Sequence, residues 1–244
     1  MLVRLRIRRY DPESDEEARW AEHVVEVEPS NRVLDALLEV QRRHDPSLGF
    51  RASCGHGVCG SDAMIINGRS ALACKTLIRD AIADSPDDDL ATITVEPMRH
   101  MPVLRDLIVD QQPFFQRYRA VKPFLVPKDT APDRERLQTP KEHAEIADAT
   151  NCILCGACVS ACPILGENPR FLGPAAIVQA ARFVFDSRDV GLQARREPLD
   201  EDNGVWPCAN HMACTRACPR EIKVTRLINL TKRELGRARD QAEV

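Results

Sequence analysis

Ten cysteines in 244 residues fall into three bunches: three at 54–74, four at 152–162 and three at 208–218. Cysteines this close together would close only tiny disulfide loops, which restrict an unfolded chain little. Bunched thiols serve better as ligands of soft metal centres. Any fold of this chain must therefore present three ordered thiol loops, and the rest of the sequence is read around them.

The first bunch has the spacing Cys54-x4-Cys59-x2-Asp62-x11-Cys74. Plant-type [2Fe–2S] ferredoxins use C-x4-C-x2-C and a distant fourth cysteine, so Asp62 stands where the third thiol is expected. A carboxylate is a harder donor than a thiolate, suits ferric iron, and should shift the cluster's potential. The alternative is that Asp62 caps the loop, while Ser61, water or nothing completes the site. Glycines in CGHGVCG let backbone N–H groups turn towards sulfur. His56, inside this loop, reads as a loop or interface residue.

The second bunch, Cys152-x2-Cys155-x2-Cys158-x3-Cys162-Pro163, matches the bacterial ferredoxin run, whose fourth cysteine serves the other cluster of a pair. Four thiolates also suit zinc, but zinc modules usually join two separated C-x2-C knuckles. The third bunch, Cys208-x5-Cys214-x3-Cys218-Pro219, lacks one cysteine of that run, and His211 stands in the gap. If ligands cross over, Cys218 completes a [4Fe–4S] site with Cys152, Cys155 and Cys158. Cys162 then joins Cys208 and Cys214, and three thiolates fit a [3Fe–4S] cluster. All ten cysteines are used. Three unlike clusters in one chain imply an electron wire.

Around these loops, Val3, Leu5 and Ile7 alternate with Arg4, Arg6 and Arg8 as in a half-buried strand, and His23–Glu28 reads as a second one. Ser30 or Asn31 is placed to cap a helix running to about Val40. Asn67-Gly68 marks a hairpin turn, and 91–96 a late strand. Residues 1–105 thus read as a small α+β domain. Residues 106–140 form a proline-broken connector to a helical domain, the two making up 106–244. There PAAIVQAARFVFDS from Pro174 is apolar around much of its circumference, and the tail from Glu221 to Leu235 is amphipathic. The net charge of −3 gives no reason to expect nucleic-acid binding. No run of about 18 apolar residues is present, and MLVRLRIRRY has no apolar signal-peptide core, so a cytoplasmic location is expected.

The order of SCGHGVCGSDAMIINGRSALAC, VEPMRHMPVLRDLIVD, NCILCGACVSACP and WPCANHMACTRACPREI resembles the iron–sulfur subunits of succinate dehydrogenase and fumarate reductase. The resemblance covers nearly the whole chain and implies an N-terminal β-grasp, plant-ferredoxin-like domain and a C-terminal all-helical, bacterial-ferredoxin-like domain. It further implies a FAD-containing flavoprotein partner, where succinate and fumarate interconvert, and membrane anchor subunits, commonly with haem, where quinone reacts. The chain would sit peripherally on the cytoplasmic face of the inner (plasma) membrane, with no succinate site and no catalytic acid or base of its own. Ubiquinone-reducing members carry a histidine after the cysteine matching Cys208 and a tryptophan after the Cys-Pro matching Cys162-Pro163. Here Ala209 and Gly166 or Glu167 stand there, and only Pro163 remains of that set. Menaquinone is the quinone expected, although a pocket lying mainly in the anchor, or a fumarate-reducing role, is equally compatible with the change. For His211 three roles stay open: a fourth iron ligand, a hydrogen-bond donor to cluster sulfur or quinone, or a surface residue. Trp206 reads as packing beside the last bunch. A heterodisulfide-reductase-like subunit is the nearest alternative, but such chains usually carry two complete four-cysteine runs. A zinc-stabilised scaffold is the alternative of a different class.

Overall fold

Strand β1 (Leu2–Arg9) is built on strict alternation: Val3, Leu5, Ile7 and Arg9 point inward and are buried, while Leu2 and Arg6 are exposed. In the computed structural model, which describes residues 1–83, 90–128 and 134–242, β1 is the second strand of a five-stranded mixed sheet. It pairs antiparallel with β2 (Arg19–Glu26) along its full length and parallel with β5 (Thr92–Glu96). Strands β3 (Ala63–Ile66) and β4 (Arg69–Leu72) complete the order β2-β1-β5-β3-β4. Asn67 and Gly68, with φ of 48° and 75°, turn β3 into β4, the two left-handed residues that a type I′ hairpin requires. The helix Val33–Glu39 buries Val33, Leu34, Ala36 and Leu37. A mixed sheet of this order, with a helix carried between β2 and β3, is the β-grasp arrangement.

That helix starts later than the expected cap at Ser30 or Asn31. Asn31 instead accepts the Glu28 N–H with its side chain (2.8 Å), which makes it part of the preceding turn. Arg32 takes the cap position, where its N–H donates to the Asp35 carboxylate (2.8 Å) and its backbone bridges to Leu77.

The chain divides into two units, 1–111 with 153–161, and 112–152 with 162–244. The first runs past 105 because of Arg9, whose guanidinium is only 5% exposed. It donates to Asp106 (2.8 Å), Ser47 (2.9 Å) and Asp45, and Asp106 also accepts the N–H groups of Gly49 (2.7 Å) and Tyr10 (2.9 Å). A buried charge is tolerable only when paired in this way. The network ties β1 to the hairpin of β6 (Val103–Arg105) and β7 (Ile108–Val109). The short helix Ala157–Ser160 belongs to this unit too: the Ser160 hydroxyl accepts the Arg99 N–H (3.0 Å) and meets Ser70 of β4 (3.0 Å).

Regular structure described in the second unit is helical. The helix Pro174–Val184 opens with proline in its first turn, where no N–H is needed, and is buried from Pro174 to Ala181. Helices Gln112–Ala120, Pro140–Thr150, Leu192–Asp200 and Val224–Ala242 pack against it. Part of the expected connector is thus the helix Gln112–Ala120, with Pro113 in its tolerant first turn. Helix Pro140–Thr150 begins with a capping box, Thr139 Oγ1 accepting the Glu142 N–H (3.2 Å) and Glu142 accepting the Thr139 N–H (2.7 Å). Arg195, fully buried, donates to Asp189 (2.7 and 3.0 Å) and to the carbonyls of Lys122 (3.1 Å) and Phe124 (2.5 Å), fixing the irregular chain there. The acidic stretch 84–89 and residues 129–133 of the connector lie outside the described residues.

Candidate metal centres

Gly55, Gly57 and Gly60 all have φ near +70°, which curls the loop from Cys54 so that its N–H groups face inward. His56 N–H (3.3 Å) and Cys59 N–H (3.4 Å) donate to Cys54 Sγ. These backbone donors, with that of Val58, bring the Cys54 thiol down to about 6. Cys74, at the end of β4, is buried. Burial first, and the neighbouring Asp62 carboxylate second, push its thiol up to about 12. Gly60 is required for a second reason: a Cβ there would lie 2.6 Å from Cys155 Cβ and 2.8 Å from its Cα.

Asp62 is 2% exposed. Its Oδ2 accepts the Cys74 N–H at 2.5 Å, whereas the buried Oδ1 has no hydrogen-bond partner. An orphaned buried carboxylate oxygen is costly unless something binds it, and it lies beside the Cys74 thiol. Ser61 Oγ meets Cys59 Sγ at 3.1 Å instead. Asp62 therefore does cap the loop, and it also has an oxygen left for a metal. The donor set, thiols supplied with backbone N–H groups plus one hard oxygen, fits a [2Fe–2S] group.

In the second unit, Cys162 precedes helix Pro163–Glu167, and the N–H groups of Ile164 and Leu165 point to its sulfur. Cys214 and Cys208 are its electrostatic neighbours. Burial raises both Cys162 and Cys214. Cys218 is raised by burial too, receives the N–H groups of Arg220 and Ile222, and faces Cys152 and Asp148. Cys162 thus groups with the third bunch, and Cys218 with the first cysteine of the second. Cys155 and Cys158 belong to the first unit. Gly156 (φ 79°) and Met212 (φ 61°) each take a left-handed turn into a four-residue helix carrying a cysteine, so the two runs repeat one local conformation. Among the described residues no three His, Cys, Asp or Glu side chains converge as they would on a single metal ion.

Residues 4–116 match the family described as "2Fe-2S iron-sulfur cluster binding domain", and residues 148–222 match "4Fe-4S dicluster domain". The chain is 36% identical to the succinate dehydrogenase iron-sulfur subunit of Coxiella burnetii, covering 97% of this chain and 98% of that one. It is 39% identical to the fumarate reductase iron-sulfur subunit of Mycobacterium tuberculosis, over 89% and 86% of the two chains. A chain of the Mycobacterium smegmatis Sdh1 complex in the apo form superposes with a TM-score of 0.84 at 28% identity, over 97% and 96%. The chain belongs to the iron–sulfur subunit family of succinate dehydrogenase and fumarate reductase.

Within this family member, the residues singled out near the last thiols are on the surface. Pro163, Ala209 and His211 are exposed, with His211 between two left-handed residues, Asn210 and Met212. Trp206 is exposed, and its indole N–H donates to Asp200 O and Oδ1 (both 3.2 Å). Two neighbours of these thiols escape motif reading. Lys232, in helix Val224–Ala242, donates to Cys208 O (2.8 Å) and sets a cation beside the third bunch. Thr225 puts a hydroxyl against Cys214. Neither belongs to a spaced pattern; each arrives there through the packing of the last helix.

Proposed function

We propose that this chain is the electron-transfer subunit of a membrane-bound succinate:quinone oxidoreductase. Cys54, Cys59, Asp62 and Cys74 hold [2Fe–2S]; Cys152, Cys155, Cys158 and Cys218 hold [4Fe–4S]; Cys162, Cys208 and Cys214 hold [3Fe–4S]. When bound, these clusters pass single electrons between FAD of a flavoprotein subunit and a quinone, menaquinone by preference, at an anchor of the kind that commonly carries haem. The protein's part is to hold the sulfurs, supply them with N–H donors and shield them, which sets the potentials. The observation carrying this reading is the regrouping of Cys162 with Cys208 and Cys214 and of Cys218 with Cys152. Three thiols grouped together, with Cys218 turned to the other run, are what a mixed cluster pair needs.

Among the described residues no helix is long and apolar enough to cross a membrane. In this reading the anchor subunits hold the chain at the cytoplasmic face of the inner membrane. The relatives carry both enzyme names, and fumarate reduction is the alternative direction for the same chain.

The test is low-temperature EPR with iron analysis on the anaerobically purified complex. About nine irons per chain and an oxidised [3Fe–4S] signal after air oxidation are expected. About ten irons without that signal assign a fourth ligand to the last cluster, with His211 the first candidate. An Asp62→Cys variant should keep its [2Fe–2S] spectrum at a shifted potential; an unchanged potential removes Asp62 from the ligand set.

A further inference from the structure

Beside the third thiol group lies a pair of hydrogen-bonded hydroxyls. Thr215 follows Cys214 in helix Ala213–Arg216, and Thr225 lies in the first turn of helix Val224–Ala242. Thr225 is 3% exposed and Cys214 8%. The Thr225 backbone N–H donates to Thr215 Oγ1 (3.0 Å), the two hydroxyl oxygens are 2.9 Å apart, and Thr225 Oγ1 is 3.5 Å from Cys214 Sγ.

With Cys214 as a free thiol, either partner can donate across the last contact. A thiolate bound to iron has no proton, so the hydroxyl must then be the donor. The remaining bonds accommodate this. Thr215 Oγ1 accepts from the Thr225 N–H, Thr215 O–H donates to Thr225 Oγ1, and Thr225 O–H donates to Cys214 Sγ. Each hydroxyl then gives one hydrogen bond and accepts one, so nothing buried is left unpaired. The Thr215 N–H and side chain also reach the same sulfur, so both threonines line it.

A hydrogen bond to a ligand sulfur draws electron density from the metal centre and favours the state with one more electron. Burial keeps water from supplying the same bond, and successive hydroxyls polarise one another. We propose that Thr225, oriented by Thr215, raises the reduction potential of the cluster held by Cys162, Cys208 and Cys214 by donating its hydroxyl to the Cys214 thiolate. This rests on Cys214 being a ligand of that cluster, as in the function proposed above. Thr225 is a positioning residue: it touches the ligand and transfers no electron.

The experiment is an EPR-monitored redox titration of the purified complex as wild type and as Thr225→Val, Thr225→Ser and Thr215→Val. At the wild-type midpoint, Thr225→Val should shift the oxidised-to-reduced ratio of the last cluster about tenfold towards oxidised, which is 59 mV for a one-electron couple. Thr225→Ser, which keeps the hydroxyl, should stay within about twofold of wild type. Thr215→Val should move in the same direction as Thr225→Val but less, and the other two clusters should keep their midpoints. An unchanged last midpoint in Thr225→Val at full iron content overturns the proposal. If that variant fails to retain the cluster, Thr215→Val decides, and an unchanged midpoint there overturns it equally. A wild-type complex with only about six irons per chain and no signal from a last cluster overturns the ligand assignment itself, a failure visible before any variant is made.

Discussion

Gly60 is where the first thiol loop backs onto the second cysteine run, and Gly60→Ala measures that approach. Two costs separate. Alanine at φ +70° pays the left-handed penalty of about 1–2 kcal/mol, less about 0.4–1 kcal/mol returned through a stiffer unfolded chain. The new methyl would also meet Cys155 at 2.6 and 2.8 Å, and the backbone atom of that pair cannot rotate away. Such overpacking adds roughly 1–3 kcal/mol, for a total of about 2–4 kcal/mol. Gly68 is the control: its φ is +75°, yet nothing lies within 4 Å of the place a Cβ would take there. Gly68→Ala should therefore cost only the backbone part, about 0.5–1.5 kcal/mol. The assay is the urea midpoint for bleaching of visible absorption in the holoprotein. At about 2 kcal/mol per molar urea, Gly60→Ala should bleach roughly 1–2 M earlier than wild type and Gly68→Ala well under 1 M earlier. Equal shifts for the two variants would refute the contact with Cys155 as the source of the cost.

Two further outcomes follow from buried charge. Arg195→Met strands Asp189, itself 1% exposed, and removes the donor from two backbone carbonyls. It should cost about 3–5 kcal/mol by urea unfolding followed by circular dichroism, and a loss below about 1 kcal/mol contradicts the buried-pair account. His23 faces Leu5 across the β1–β2 ladder, with His44, Asp45 and Arg9 around it and its Nε2 buried without a partner. Burial foremost, then His44 and Arg9, hold its imidazole below the usual value of about 6.5 against the pull of Asp45. Below that value the unfolded chain takes up a proton that the folded one resists. Stability should therefore fall as pH drops from neutral through about 6.5. His23→Gln should flatten this part of the unfolding profile, and parallel profiles for the two proteins would exclude His23 as the cause.

The parts legible in the sequence are those set by short-range rules. Alternation at Val3, Leu5 and Ile7 marks β1 because a strand's side chains have period two. Asn67-Gly68 marks its turn because few residues accept left-handed φ. Thiol spacing marks the metal loops because ligand reach is local. Where long-range partners decide, the sequence is silent or misleading. Asn31 has the chemistry of a helix cap, but a local turn claims its side chain, and Arg32 is held at the helix start by its bridge to Leu77. Arg9 continues the inward parity of Val3, Leu5 and Ile7, but only Asp106, 97 positions away, explains how its charge is buried. Arg195 and Lys232 act on segments distant in sequence, Thr225 on one across a turn, and no spacing announces them. The orphaned Oδ1 of Asp62 likewise emerges only from the packed loop, although position alone marks the residue.

The interleaving of the two units has a consequence for biosynthesis. Residues 153–161 belong with the first 111 residues, so the first unit lacks its Cys155 wall behind Gly60 until the ribosome has passed Ala161. By then the leading helices of the second unit, Gln112–Ala120 and Pro140–Thr150, have already been made. The two halves cannot mature strictly one after the other, and no single cut between 111 and 153 yields two intact pieces. A chain stopped early is thereby left without the wall that its first thiol loop packs against.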